Sequence, residues 1–147
     1  MEIVRATAAD AGRVRELSRA AYAKWVPVIG REPWPMTADY DVAVREHVID
    51  LLVVDGGVVA LMEMIPEEGH LLIENVAVDP GFQGRGYGRR LMDHAEAVAA
   101  ARAYKMVRLY TNKMFAANVQ MYLGLGYAIT REEVLPAGTV VHMHKML

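Results

Sequence analysis

A turn rich in glycine and arginine, at residues 79–90, carries the clearest chemical pattern in the sequence. Gly84, Gly86 and Gly88 stand at alternate positions after an apolar stretch, and arginines occupy positions 85, 89 and 90. Apolar residues recur at helical spacing after the glycines, so the turn leads from a strand into a helix. The first N–H groups of a helix have no intrahelical partner, and the helix dipole makes that end partly positive. The pattern therefore predicts a site for phosphate or pyrophosphate.

Two common nucleotide-binding motifs do not fit this turn. A nucleoside-triphosphate loop would have lysine directly after Gly86, where the sequence has Tyr87. A dinucleotide-binding turn would have glycine at the position of Arg89. The pattern that is present is Gln83-x-x-Gly86-x-Gly88, directly after Val-Ala-Val-Asp-Pro. A tight strand-to-helix turn with solvated arginines is the alternative interpretation.

This pattern resembles the acyl-coenzyme A signature of the GNAT superfamily of N-acetyltransferases, Gln/Arg-x-x-Gly-x-Gly/Ala. The resemblance implies that acetyl-coenzyme A is a co-substrate. It also implies that the turn binds the pyrophosphate, and that the main chain of the preceding strand binds the pantetheine arm. The cofactor-binding residues implied are Val76, Ala77, Val78, Gln83, Gly84, Arg85, Gly86, Tyr87, Gly88 and Arg89.

Two asparagines are further candidates for contact with the pantetheine amides. The family often has Asn-x-x-Ala-x-x-x-Tyr in a later helix, but here Phe115 stands at the asparagine position and Asn118 at the alanine position. Asn118 lies four residues before Tyr122 and shares a helical face with it. Asn112, at the end of the preceding predicted strand, is the other candidate. The sequence leaves the choice between them open.

Acyl transfer to an amine needs a neutral amine, a donor to the oxyanion and a proton for the departing thiolate. For the last role the family uses a tyrosine four residues before Gly-Phe or Gly-Tyr, which here is Tyr122, ahead of Gly126-Tyr127. A phenol with a pKa near ~10 stays protonated at neutral pH and can act as this acid. A tyrosine of the core or of the pocket wall is the alternative.

Glu74 is the first candidate for the general base. It interrupts an apolar strand two residues before Val76, and strict alternation would place both side chains on one face. Its carboxylate could take the proton of the amine through water or hold a cationic acceptor. An exposed or ion-paired strand residue is the alternative, and Glu63 and His70 are weaker candidates for the base.

The elements that position these residues follow from hydrophobic patterning along the chain. Strands are predicted at 2–6, 51–54, 58–64, 71–78, 106–111, 127–131 and 139–146, and helices at 11–25, 39–47, 115–123 and after the glycine turn. This order is similar to that of the superfamily. It implies one α/β domain over 1–147, an α+β mixed sheet of about seven mostly antiparallel strands with about four helices. The strand of Val76 and the strand of Leu109 are expected to form a central splayed parallel pair.

The segment between Trp25 and Met36 breaks this patterning. Two tryptophans, three prolines and a glycine fall within it, so a loop is predicted. Its tryptophans either plug the core or belong to a lid that faces the substrate.

Composition narrows the class of protein. The 147 residues have a net charge of −2, which gives no general attraction to nucleic acid, and no apolar run is long enough to span a membrane. Without cysteine there is no disulfide, no zinc–thiolate site and no cysteine nucleophile, which favours direct attack by the amine.

His142 and His144 could form a metal pair but lack an evident third ligand, so no metal is predicted. A cytoplasmic location is the simplest expectation.

The resemblance therefore implies an acyl-coenzyme A-dependent N-acyltransferase, with acetyl as the transferred group. Transfer is expected in a ternary complex, to a small-molecule amine or to an amine of a protein. The rival interpretation is a non-catalytic acyl-coenzyme A-binding sensor or regulatory module of the same fold, which would need the glycine turn but not Tyr122. A homodimer is possible because homodimers are common in the family.

Overall fold

The computed structural model describes all residues, 1–147, and contains seven strands and five α-helices. The strands are β1 (Glu2–Arg5), β2 (Val48–Val54), β3 (Gly57–Pro66), β4 (Leu71–Val78), β5 (Met106–Asn112), β6 (Ala128–Leu135) and β7 (Gly138–Met146). The helices are α1 (Ala11–Tyr22), α2 (Val26–Ile29), α3 (Tyr40–Glu46), α4 (Tyr87–Ala101) and α5 (Ala116–Gly124). None of these helices has both the length and the apolar character needed to cross a membrane.

The strands form one mixed sheet in the order β1-β2-β3-β4-β5-β7-β6. β4 and β5 are its only parallel neighbours, and they pair at three positions, from Leu71 with Val107 to Ile73 with Leu109. Beyond Ile73 the two strands separate, which leaves the second half of β4 unpaired on that side. The predicted fold class, including the splayed parallel pair, is confirmed.

Helices cover the two faces of the sheet with separate apolar clusters. On one face α4 contributes fully buried residues, among them Leu91 and Met92, to a cluster that also contains Tyr122 of α5. On the other face α1 buries Val14, Leu17 and Ala21, as their spacing predicts. The splayed end of β4 lies between these two layers, because α1 packs against β4 from one side and α4 from the other.

A β-bulge interrupts β4 beside the point of separation. Glu63 of β3 faces Asn75 and the next residue, Met64, faces Ile73, so Glu74 is the extra residue. The bulge reverses the alternation of side chains along β4. The prediction that Glu74 and Val76 share one face is therefore wrong.

The segment between Trp25 and Met36 is more ordered than the predicted loop. α2 forms within it because Pro27 lies in the first turn of that helix, where a missing N–H costs nothing. Gly30, with φ of 75°, then ends the helix in the left-handed conformation. Trp34 is 37% exposed and Trp25 is half-buried, so neither tryptophan plugs the core.

Candidate active site

A cavity of about 390 Å³ lies between the separated end of β4, the glycine turn and α5. We call it the first cavity. Ten of the predicted site residues line it: Val76, Val78, Gln83, Gly84, Gly86, Tyr87, Gly88, Arg89, Asn118 and Tyr122. Strand β4, the glycine turn and the helices α4 and α5 thus bring these predicted residues to one place.

The backbone of the glycine turn is specific to glycine at two positions. Gly84 and Gly86 have φ of 80° and 82°, a region that other residues enter only with strain. Gly86 is also the residue that precedes the first turn of α4. Gly88 has a different role, because a Cβ there would lie 3.9 Å from Val78 Cγ2 and Met121 Sδ, two residues that line the cavity. A side chain at 88 would therefore occupy part of the cavity.

Hydrogen bonds hold the turn against β4. The N–H of Gly81 donates to Asp79 Oδ1 at 2.9 Å, and Gln83 Nε2 donates to the carbonyl oxygen of Val78 at 3.1 Å. The other side-chain atom of Gln83, Oε1, accepts from Lys24 Nζ at 3.2 Å. This contact places a lysine beside the turn, which the sequence pattern did not predict.

The charges around the first cavity favour an anion. Lys24 and Arg89 line it, and no aspartate or glutamate does. The positive end of α4 points into the same space, because Gly86 and Gly88 belong to both the lining and the helix start. The glycines leave space for a ligand beside the start of α4, and the two cations are not neutralised by a carboxylate in the lining. These features fit the pyrophosphate and the linear arm of coenzyme A.

Three predicted cofactor residues do not line the first cavity. Ala77 is buried on the α1 side of the sheet and pairs with Leu61 of β3. Arg85 is exposed, with its guanidinium 4.9 Å above the ring of Phe82. Asn112 faces a different cavity and its Oδ1 accepts a hydrogen bond from the N–H of Met114 at 2.9 Å. Of the two asparagines, Asn118 is therefore the better placed for contact with pantetheine.

Tyr122 of α5 lines the first cavity and belongs to the apolar cluster on the α4 side of the sheet. Its side chain is 7% exposed, and its ring packs edge-on to Tyr127 at a centroid distance of 6.2 Å. Burial raises the pKa of the Tyr122 hydroxyl to about 12. Tyr122 therefore carries its proton at every pH at which the protein is expected to work.

A second cavity of about 110 Å³ lies on the other side of the splay, and it contains Glu74. We call it the second cavity. Half of its twelve lining residues are apolar, namely Ile29, Pro33, Trp34, Pro35, Phe115 and Val140, and the other half, which includes Thr111 and Asn112, carry polar or charged groups. Tyr110 of β5 donates its hydroxyl hydrogen to Glu74 Oε1 at 2.5 Å, which leaves Oε2 free. A carboxylate held in this way can bind an ammonium group or accept a proton.

Tyr22, at the end of α1, lines both cavities. Its hydroxyl donates to the carbonyl oxygen of Val76 at 3.2 Å, on the unpaired side of β4. Beside it, the rings of Trp25 and Phe115 stack with centroids 4.5 Å apart. Tyr22 was not predicted, since a tyrosine at the end of an amphipathic helix has no distinguishing sequence signal.

Comparison with known proteins decides the family. A model described as the acetyltransferase (GNAT) family matches residues 13–127. The chain belongs to this family. The match includes the glycine turn and Tyr122, which supports the resemblance read from the motif.

The relatives of this GNAT chain are distant in sequence but close in fold. N-alpha-acetyltransferase 80 of Mus musculus is 36% identical over 69 residues, which are 47% of this chain and 21% of that protein. The match thus spans only about a fifth of that relative. The structure of PaiA N-acetyltransferase of Thermoplasma acidophilum, solved with coenzyme A, is similar to this chain with a TM-score of 0.84 and 14% sequence identity. The similarity covers 99% of this chain and 98% of that chain. Ribosomal-protein-S18-alanine N-acetyltransferase of Escherichia coli has 19% identity and a TM-score of 0.80, with 99% of this chain and 92% of that chain covered.

The weaker base candidates of this GNAT chain have partners away from both cavities. Glu63 Oε2 lies 2.6 Å from His47 Nδ1, and neither residue lines the first or the second cavity. Burial raises the pKa of the Glu63 carboxyl, against an opposing effect of the hydrogen bond with His47. His70 Nε2 lies 3.0 Å from Glu67 Oε1.

The two histidines of β7 have separate partners. His142 Nε2 lies 2.9 Å from Glu133 Oε1, and His144 Nδ1 lies 2.6 Å from the hydroxyl of Thr130. No group of three or more His, Asp and Glu side chains that could hold a metal ion occurs in the structure.

Proposed function

We propose that this protein is an N-acetyltransferase that transfers an acetyl group from acetyl-coenzyme A to a primary amine by direct attack in a ternary complex. One observation carries the proposal: Tyr22 is a wall of two cavities, one bordered by Tyr122 and the other by Glu74. Tyr122 and Glu74 thus line cavities on the two sides of Tyr22, which supports the roles of acid and base proposed for them.

The first cavity supplies the groups that would hold acetyl-coenzyme A. The N–H groups of the glycine turn, with Lys24 and Arg89, suit the pyrophosphate. The main chain of β4 beyond Ile73, which has no strand partner on this side, and the side chain of Asn118 suit the amides of the pantetheine arm. When bound, acetyl-coenzyme A supplies the acetyl group as a thioester whose sulfur departs as a thiolate.

Glu74 and Tyr122 divide the proton transfers between them. Glu74 accepts a proton from the ammonium form of the acceptor, directly or through water, and the neutral amine then forms the new N–C bond as the C–S bond breaks. Tyr122 donates a proton to the thiolate and regains one from the attacking nitrogen. Overall the ammonium group loses two protons, of which one ends on the thiol and the other passes through Glu74 to solvent.

Calorimetric titration with acetyl-coenzyme A, followed by a thiol-release assay with a panel of amines, tests this function. We expect one binding site per chain and thiol release that depends on one class of amine. Binding without release from any amine would favour a sensor module of the same fold. Absence of binding would contradict the assignment of the first cavity.

Two further expectations accompany the proposal. The protein is expected to be cytoplasmic, and a homodimer is possible because homodimers are common in the family. Sedimentation velocity of the purified protein at several concentrations checks the second expectation.

A further inference from the structure

Two charged residues of opposite sign line the second cavity, and they are not paired with each other. Glu74 and Arg31 are the only charged side chains in its wall. Neither takes part in any of the ion pairs of the structure, and the carboxylate of Glu74 is held by a neutral partner, Tyr110. An anion-binding group and a cation-binding group therefore face one small space that a single ligand could bridge.

The wall that carries Arg31 is held firmly in place. Arg19 of α1 pairs with Glu32 at 2.9 Å and donates to the carbonyl oxygen of Met36 at 2.6 Å. Tyr40 donates to the carbonyl oxygen of Pro35 at 2.5 Å. Arg19 thus pairs with the carboxylate of the residue next to Arg31, and the Arg31 guanidinium itself donates only to the carbonyl oxygen of Glu32, at 3.5 Å.

The size and polarity of the second cavity limit the ligand. The second cavity has a volume of about 110 Å³, against about 390 Å³ for the first cavity, so a small acceptor is expected. Apolar side chains form half of the wall, so the part of the ligand that contacts them is expected to be apolar. Arg31 is exposed, so the anionic group of the ligand would lie at the solvent side of the cavity.

We infer that the acceptor is a small zwitterionic amine, with its ammonium group at Glu74 and a carboxylate at Arg31, as in an apolar amino acid. This inference rests on the proposed function and names the class of its acceptor. A guanidinium can donate two parallel hydrogen bonds to a carboxylate, which makes Arg31 a selective partner for that group. A lysine side chain of a protein or an alkylamine would offer Arg31 nothing to bind.

Matched acceptors that differ only in the anionic group test the inference. Leucine, leucinamide and 3-methylbutylamine are compared as acceptors in the thiol-release assay, with the wild-type protein and with Arg31→Met. We expect the wild type to prefer leucine over leucinamide roughly tenfold in kcat/KM, the effect of one hydrogen bond to a charged group. In Arg31→Met this preference is expected to disappear, and in Arg31→Lys to be partly restored. Because the variants are compared on the same amines, differences in amine basicity cancel.

A second arginine provides the control for charge. Arg45 of α3 is also exposed and unpaired but lines neither cavity, so Arg45→Met should keep the preference for leucine. Titration of leucine into the protein saturated with coenzyme A gives a readout without turnover, and we expect weaker binding in Arg31→Met. Equal use of the three amines by wild type and Arg31→Met would overturn the inference and leave the proposed function standing. Acetyl-coenzyme A binding with no release from any amine would overturn both.

Discussion

The hydroxyl of Tyr110 donates a hydrogen bond of 2.5 Å to Oε1 of Glu74 across the point where β4 and β5 separate. Burial, and then the hydrogen bond to Glu74, raise the pKa of Tyr110 well above the ordinary value for tyrosine. Tyr110 therefore stays protonated and remains a donor. The contact holds one carboxylate oxygen of a residue that lines the second cavity.

Tyr110→Phe is expected to lower kcat roughly tenfold, because a hydrogen bond to a charged group contributes about 1.5–3 kcal/mol. Affinity for acetyl-coenzyme A should stay within about threefold, since Tyr110 does not line the first cavity. Steady-state kinetics and calorimetry separate the two effects. Tyr104→Phe is the control, because the Tyr104 hydroxyl donates to the carbonyl oxygen of Glu67, outside both cavities. A loss of kcat in both variants would argue against a positioning role for Tyr110.

Tyr122→Phe is expected to lower kcat roughly 100-fold while cofactor affinity changes little, as for loss of a general acid. Tyr127→Phe is the matched control, since Tyr127 lies beside Tyr122 but lines neither cavity, and its buried hydroxyl has no partner. That variant should keep its activity. Equal loss of affinity and turnover in Tyr122→Phe would make Tyr122 part of the pocket wall instead of the acid.

The pH dependence of turnover gives a further test of Tyr122. The protonated phenol is the active form of an acid, so activity is lost as pH rises through its pKa. Since burial raises the pKa of Tyr122 to about 12, the proton is retained well beyond the value near ~10 of a free tyrosine. Single-turnover thiol release with saturating amine should show no loss due to Tyr122 between pH 8 and 10. A fall centred near pH ~10 would contradict this assignment.

Gly86→Val is expected to abolish coenzyme A binding, because its side chain would occupy the approach to the N–H groups at the start of α4. Gly69→Val controls for backbone strain. Gly69 and Gly86 have φ of 85° and 82°, and a Cβ at either position meets no atom within 4 Å. Both variants should lose about 1–3 kcal/mol of stability, but only Gly86→Val should lose binding in calorimetry. Equal binding by the two variants would place the pyrophosphate elsewhere.

Glu63→Gln is expected to become more stable relative to the wild type as pH rises. Burial raises the pKa of Glu63 in the folded protein, so the folded state holds this proton more tightly than the unfolded state. The contribution of Glu63 to the free energy of unfolding of the wild type therefore falls as pH rises above about 4.3, the pKa of an unperturbed glutamate. The amide side chain of the variant does not titrate and escapes this loss. Urea unfolding of both proteins at pH 4, 5.5 and 7 measures the difference, and a constant or reversed difference would contradict the prediction.

The glycine turn and the parallel pair could be predicted because their signals are local. Glycine at 84 and 86 satisfies a backbone with positive φ, and a strand followed by a helix and a strand has one favoured handedness. Tyr122 could be predicted only through the resemblance to the GNAT family, because burial and cavity geometry depend on which elements pack together.

The second cavity could not be predicted, because it depends on contacts between distant residues. The bulge at Glu74 follows from the register between β3 and β4, which no local pattern in 71–78 records. The partner of Glu74 is Tyr110, 36 residues later, and the wall residue Arg31 is positioned by Arg19 through Glu32. Such contacts follow from the assembled sheet and helices.

The place of Tyr22 between the two cavities has a consequence for how the specificity of this protein could change during evolution. A substitution at Tyr22 would alter the acceptor side and the cofactor side together, so selection for a new acceptor would also act on cofactor affinity. Ile29, Trp34 and Val140 line only the second cavity. Divergence toward new amines is therefore expected to accumulate at these three positions, while Tyr22 stays fixed.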